Sequence, residues 1–335
     1  MSSSKISLET IGWDLFFKKE FDQYQIQGFI PGRITQIQRK DCIALTELGE
    51  IKVRISGRFR FANSGKETFP VVGDWVAIKD SNDHMGIIQA VLPRKSKFSR
   101  KTAGKAIEEQ IIAANVDIVW IVSAMDNDFN IQRIERYITL VSESGAKPVI
   151  ILNKSDLCKD IDKKIGEIKK ISQSVPIHVL SAELNQGLDM LNQYLIKGKT
   201  IALLGSSGVG KSTIINKLLG IDRQKVGSVR SDGQGKHITT YREMIMLPAG
   251  GMIMDNPGMR EIQLWYKGES NAFEDIEELS HGCKFKNCCH ETEPGCVVKE
   301  ALAKGSLDQR RYEHYLKLRK EVKSRPIKYK NVSSR

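Results

Sequence analysis

A short apolar strand, a glycine-rich loop and a helical run follow one another in TIALLGSSGVGKSTIINKLL, residues 200–219. The loop from Gly205 to Ser212 satisfies the pattern G-x-x-x-x-G-K-S in the strand-then-helix setting that gives the pattern meaning. Its glycines let the backbone N–H groups of Gly205, Ser206, Ser207, Gly208, Val209 and Gly210 curl around phosphates. Lys211 would reach the β- and γ-phosphates, Ser212 would ligate Mg²⁺, and Thr213 continues the first helical turn at the anion. A loop of this kind works at the C-terminal end of a buried parallel strand, so it commits the chain to an α/β sheet.

The neighbouring pattern agrees. DIVWIVSA (117–124) is a continuous apolar run of the parallel, doubly covered type, and Ile131, Ile134, Ile138 and Val141 follow at helical spacing. Strand PVIILN (148–153), a helix around 160–173, strand IHVLS (177–181) and a helix near 187–196 lead into the phosphate loop. A hairpin-like MIML-PAGG-MIMD (244–255) comes after it. Alternation of this sort predicts a doubly wound α/β domain over 98–265. The first hundred residues read as β-structure instead. Ile51, Val53 and Ile55 alternate, DWVAIK (74–79) does the same, and Gly49, Gly57, Gly73 and Gly86 punctuate the runs. Short strands on this scale predict a small barrel over 1–97, an OB-fold or an SH3-like barrel.

A phosphate loop specifies a nucleotide but not its base. NKSD (153–156) ends a strand of the same domain, where ligands of open α/β sheets bind. Asp156 supplies the carboxylate that guanine N1 and N2 hydrogens require, Asn153 would contact the purine edge, and the stem of Lys154 would pack along the base. Ser181–Ala182 ends the next strand, where a backbone contact to guanine O6 is expected. No other [NT]-K-x-D follows the phosphate loop. NKSD therefore precedes that loop by about fifty residues, the reverse of the usual order; permutation preserves a compact sheet because its termini lie close together. After the loop, Asp255 in DNPG would hold Mg²⁺ through water and the Gly258 N–H would sense the γ-phosphate. GQGKHITTYRE (233–243) reads as a switch loop, with Thr239 or Thr240 toward the ion. Met259 follows DNPG and cannot position water, which makes His237 the candidate for that role.

The last seventy residues form a third region, 266–335. Four of the six cysteines lie between 283 and 296 in CKFKNCCHETEPGC, a clustering that reads as metal binding rather than a disulfide scaffold. Cys283, Cys288, His290 and Cys296 make a closed set for structural Zn²⁺, with Cys289 as a substitute for Cys288 and His281 as an outlying candidate. A helix over 305–325 follows, with Tyr315, Leu318 and Val322 inward and a basic face outward. The chain of 335 residues carries a formal net charge of +12. Six basic residues and no acidic one occupy 94–105, and eleven basic against three acidic residues run from Lys304 to the end. This balance points to a polyanionic partner, RNA above all. No apolar run is long enough to cross a membrane and no secretory leader is present, so the expected setting is cytoplasmic, as a monomer, with no membrane partner.

Together, NKSD, SA, GSSGVGKS, GKHITT, DNPGMRE, CKFKNCCHETEPGCVV and RRYEHYLKLRKE resemble the circularly permuted, ribosome small-subunit-dependent GTPases of bacteria over nearly the whole chain. The resemblance implies an OB-fold, a permuted GTPase domain and a zinc domain. It also implies a factor that binds the 30S subunit and 16S rRNA late in maturation and hydrolyses GTP to GDP under stimulation by the subunit. Carried over onto this sequence, the zinc ligands are Cys283, Cys288, His290 and Cys296 and the switch histidine is His237. Asn256 replaces a usual threonine in that family's DTPG, and Ile238 the first of three switch threonines. The rival readings are a small-molecule P-loop kinase, a non-catalytic RNA-binding switch and a membrane-recruited protein.

Overall fold

Asp14 starts the first helix by accepting hydrogen bonds from the Phe16 and Phe17 backbone N–H groups. Helix α1 (Leu15–Gln25) follows a 3-10 turn at Leu8–Ile11, and buries Phe17 and Phe21, one helical turn apart. Strands β1 (Ile30–Ile37), β2 (Cys42–Thr46), β3 (Gly49–Ile55), β4 (Trp75–Lys79) and β5 (Met85–Val91) come next, with helix α2 (Gly57–Ala62) between β3 and β4. Strand β1 pairs with both β2 and β4, β2 with β3, β3 with β5 and β5 with β4. The circuit closes into an OB-like five-stranded barrel. Ile34, Ala44, Val53, Val76, Ile78 and Ile88 fill its interior.

The alternation expected along β4 is not observed: Trp75, Val76, Ala77 and Ile78 are all buried. Val76 and Ile78 face the barrel interior, while Trp75 and Ala77 join a second core with Phe17 and Phe21. Trp13 meets the Trp75 ring edge-on at 4.7 Å. The N-terminal helix was not read from the sequence, and it is what covers this outer face.

The computed structural model describes residues 6–37, 41–62, 68–80, 85–101, 109–220, 242–255, 274–285, 287–309, 312–313 and 315–316. Within the basic stretch after the barrel, β6 (Lys97–Lys101) pairs antiparallel with β7 (Glu109–Ala114). Beyond it lie β8 (Ile118–Ala124), α3 (Ile131–Glu143), β9 (Lys147–Asn153), α4 (Ile161–Ile171), β10 (Ile177–Val179), β11 (Thr200–Leu204), α5 (Lys211–Leu219), β12 (Arg242–Met246) and β13 (Met252–Asp255). The predicted helix near 187–196 is 3-10, at Leu188–Tyr194.

The order β10-β9-β8-β11-β13 is parallel throughout, with β12 antiparallel at its end. The strand that carries the phosphate loop, β11, thus sits between a strand that precedes it and one that follows it. Strand β12 also pairs with β1, Gln36 opposite Glu243 and Ile37 opposite Arg242, which joins barrel and α/β sheet into one ladder. Arg33 of β1 is fully buried at this junction. Its guanidinium donates to the carbonyl oxygens of Ile11 (2.5 Å), Gly73 (3.3 Å) and Asn115 (2.9 Å), and burial pulls its pKa down to about 10.

The chain divides into two compact units, Met1–Trp265 and Tyr266–Arg335. In the second, α6 (Glu274–His281) and α7 (Val297–Ala303) pack around Ile276, Cys288, Cys296, Val298, Ala301, Leu307, Tyr312 and Tyr315. Tyr315 is buried, as the helical spacing predicts. Leu318 and Val322 lie outside the described residues.

Candidate nucleotide-binding site and metal cluster

Because β8, β9, β11 and β13 run parallel, their C-terminal ends share one edge of the sheet. That edge collects Asn153–Asp156, Gly205–Ser212 and Asp255, with Ser181–Ala182 just beyond β10. In the phosphate loop Gly205, Gly208 and Gly210 take φ of 154°, 80° and 98°. A side chain at Gly205 would meet the Val122 carbonyl at 2.2 Å, and one at Gly210 would meet Asn153 Nδ2 at 2.1 Å. These two glycines are therefore required by close approach as well as by backbone angle.

Gly210 precedes α5 without a side-chain cap, so the first N–H groups of that helix remain available to an anion. Ser212 is exposed at this terminus and Thr213 half-buried. Lys211 is buried, and its ammonium donates to the carbonyls of Gly205 (2.8 Å) and Ser206 (2.5 Å). Those bonds give a buried ammonium hydrogen-bond acceptors.

Asn153 is 2% exposed and joins three loops. Its Nδ2 donates to Val209 O in the phosphate loop at 2.8 Å, and its Oδ1 accepts from the Ala182 N–H at 3.0 Å. The residue expected to contact the purine is thus a brace between the NKSD, phosphate-loop and Ser181–Ala182 segments. The Ala182 N–H, in the segment expected to make a backbone contact to guanine O6, donates to that brace. We expect Asn153→Ala to leave a buried carbonyl and a buried N–H unpaired. The variant should lose about 2–4 kcal/mol of stability, read as a lower urea midpoint with unchanged slope. An unchanged midpoint would show that the brace carries no energy.

Lys154 has left-handed backbone (φ 60°), and its ammonium pairs with Asp126 Oδ2 at 2.8 Å. Asp156 is exposed on the 3-10 turn Ser155–Leu157, with no hydrogen bond or ion pair to any described residue. Its acceptor oxygens are open to a ligand. Ser181 is fully buried and its backbone pairs with Gln186. Asp255 ends β13, opposite Glu243. His237, Ile238, Thr239, Thr240, Asn256, Gly258 and Met259 lie outside the described residues.

Sequence reading missed Asp126 and Asp128, which meet Lys154 and the Ser206 hydroxyl (2.6 Å). Their position directly after an apolar parallel strand was the available signal.

In the second unit the Cys283, Cys288, His290 and Cys296 donor atoms lie within 4.8 Å of one another. Cys283 Sγ is 3.6 Å from His290 Nδ1 and 3.8 Å from Cys296 Sγ, and His290 Nδ1 is 3.3 Å from Cys296 Sγ. A tetrahedral ion held by thiolates and imidazole places its donors about 3.5–3.8 Å apart. The four residues fit such an ion. Cys289, weighed as a substitute for Cys288, directs its sulfur to the Asn287 carbonyl at 3.8 Å, and His281 is exposed at the end of α6 outside the cluster.

Sequence reading also missed the supports of this cluster. Glu293 accepts from the backbone N–H groups of Cys289, Glu291 and Thr292, which holds its carboxyl down to about 2. The Tyr312 hydroxyl donates to the His290 carbonyl at 2.5 Å.

Comparison with known proteins gives one answer. The family model for RsgA GTPases matches residues 91–265. A small ribosomal subunit biogenesis GTPase RsgA from Opitutus terrae is 40% identical, over 94% of this chain and 90% of its own length. The protein of that name from Leptospira interrogans is 42% identical, over 96% of this chain and 90% of its own. Among solved structures, YjeQ from Thermotoga maritima matches with TM-score 0.63 and 26% identity, over 89% of this chain and all of that one. YloQ, described as a circularly permuted GTPase, matches with TM-score 0.60 and 25% identity, over 90% of this chain and 97% of that one. With a phosphate-loop motif that follows NKSD in sequence yet stands beside it in space, the chain belongs to the RsgA GTPase family, hydrolases that act on GTP.

Proposed function

We propose that this protein hydrolyses GTP while bound to the small ribosomal subunit and its 16S rRNA, and that the reaction times a late step of subunit maturation in the cytoplasm. The observation that carries the reading is the Asn153 brace, which locks a guanine-type base reader to a phosphate loop. The relatives' names supply the small-subunit setting. The proposed organisation is an OB-fold RNA-binding barrel at 1–97, a permuted GTPase domain at 98–265 and a zinc-binding domain with a basic C-terminal helix at 266–335.

In the proposed mechanism Asp156 accepts from guanine, the Lys154 stem lies along the ring, and Asn153 with Ser181–Ala182 closes the purine edge. The N–H groups of the phosphate loop and of the α5 N-terminus hold the phosphates. Lys211 exchanges its loop carbonyls for β- and γ-oxygens and stabilises charge on the transferring phosphoryl group. Ser212, in the first turn of α5, and Asp255, at the end of β13, would hold Mg²⁺, which neutralises phosphate charge. Thr239 or Thr240 and the Gly258 N–H sense the γ-phosphate, and His237 positions the attacking water. Cys283, Cys288, His290 and Cys296 hold one structural Zn²⁺. The basic segments meet RNA phosphates, and the protein acts as a monomer.

The test is phosphate release from GTP and from ATP, with and without purified 30S subunits, at two salt concentrations. Stimulation of GTP hydrolysis by about tenfold or more, fading as salt rises, is the expected result. A rate that subunits leave unchanged would remove the ribosome-dependent mechanism. Equal use of ATP would remove the base reader.

A further inference from the structure

Residues 125–128 emerge between the two halves of the nucleotide site, because β8 lies between β9 and β11. They belong to neither motif. Asp126 Oδ2 accepts from Lys154 Nζ at 2.8 Å, and Asp126 Oδ1 accepts from the Asp128 backbone N–H at 2.9 Å. Asp128 Oδ2 in turn accepts from the Ser206 hydroxyl at 2.6 Å and pairs with Arg133 Nη2 at 2.7 Å. Arg133 sits in the first turn of α3, where its own N–H donates to the Asn130 cap at 2.9 Å. One chain of polar contacts therefore runs from the base-reading lysine to the phosphate loop and ends on a helix.

Both carboxyls are held below the usual carboxylate range, Asp126 first by the Lys154 hydrogen bond and Asp128 first by the Ser206 hydroxyl. Their side chains are 27% and 43% exposed. Pairs this accessible contribute little to folding stability. Orientation is another matter. A lysine stem that must lie along a base loses rotamer freedom on binding, and a lysine already tethered loses less.

We infer that Asp126 and Asp128 are positioning residues that fix Lys154 and the phosphate loop relative to one another, so that recognition of the guanine base and of the phosphates is coupled. The inference rests on reading this edge as a guanine-nucleotide site. It adds to the buried Asn153 brace a second, solvent-side connection that can be broken without opening the core.

The experiment measures GDP binding and steady-state GTP hydrolysis for the full chain and for Asp126→Asn, Ser206→Ala and the double variant. In Asp126→Asn the GDP affinity falls about tenfold and KM for GTP rises by a similar factor, with kcat held within about twofold, since the tether acts on ground and transition states alike. Asp126 and Ser206 do not touch, so independent action would make their effects multiply. Coupling makes the double variant bind GDP about fivefold more tightly than the product of the single losses. The melting temperature moves by less than about 2 °C in each single variant.

Unchanged GDP affinity in Asp126→Asn would overturn the inference, as would losses that multiply within about twofold. An affinity loss accompanied by a fall in melting temperature above about 5 °C would assign the loop a structural role instead. Failure of the unsubstituted chain to bind GDP would overturn the nucleotide reading itself, and this inference with it.

Discussion

Replacing Asp156 by Asn should weaken GTP binding by about 10²–10⁴-fold and transfer the preference to xanthosine triphosphate. Guanine presents two donors on one edge, N1–H and the N2 amine, and an ionised carboxylate accepts both. Hydrogen bonds of this charge-assisted kind contribute roughly 1.5–3 kcal/mol each, and about 1.4 kcal/mol corresponds to tenfold in affinity. In Asp156→Asn one acceptor becomes an amine that opposes the guanine amine. Xanthine carries a carbonyl at that place, which the new amine can meet. Asp156 is exposed and has no partner among the described residues, so the substitution should leave folding unaffected. The measurement is competitive displacement of a fluorescent nucleotide by GTP, XTP and ATP. Unchanged GTP affinity would mean that NKSD does not read the base, whatever its place in the sheet.

The second large effect concerns the cysteine cluster. Stripping the metal with a strong chelator, or substituting Cys296→Ala, should unfold the second unit while Met1–Trp265 keeps its cooperative transition. The reason is core size. Among the described residues the buried core consists of Ile276, Cys288, Cys296, Val298, Ala301, Leu307, Tyr312 and Tyr315, and two of these eight belong to the Cys/His cluster. A structural zinc contributes about 10–16 kcal/mol of apparent binding free energy at neutral pH, a large share of what holds a unit of about seventy residues together.

Hydrogen exchange resolved by peptide would show protection lost from Val297–Ala303 and retained in Ile118–Ala124. Metal content of one zinc per chain, absent in Cys296→Ala, is the accompanying readout. Protection of Val297–Ala303 that survives metal removal would mean that the four donors converge without supporting the fold. Cys289→Ala serves as the control. Its sulfur points to Asn287 O, and the variant should keep the metal.

How much of this was legible beforehand depends on the range of the interaction concerned. The phosphate loop, NKSD and the cysteine knuckle were readable because each is a local pattern whose chemistry is set within fifteen residues. The parallel strands were readable from continuous apolar runs, and α3 from its spacing. Helix α1 carried a readable signal, Asp14 before Phe17, Phe21 and Tyr24, but the strand pattern around it dominated the reading. The 3-10 segment at Leu188–Tyr194 was not separable from an α-helix by periodicity. Spacing alone left Cys289 beside Cys288, because adjacent residues have the same spacing to every other ligand within one position; the donor positions single out Cys288.

The sequence by itself determined the local patterns: a phosphate-loop motif, NKSD with its carboxylate, and three cysteines and a histidine at metal-ligand spacing. Covalent neighbours fix such groups, and they look the same in any fold that accommodates them. Only the tertiary structure decided which groups cooperate. It set β11 between β8 and β13, brought Asn153 against Val209 and Ala182, linked Lys154 to Ser206 through Asp126 and Asp128, and closed the barrel onto β12 through β1. Those contacts join residues up to about two hundred positions apart. They follow from the order in which strands pair, which no local pattern encodes.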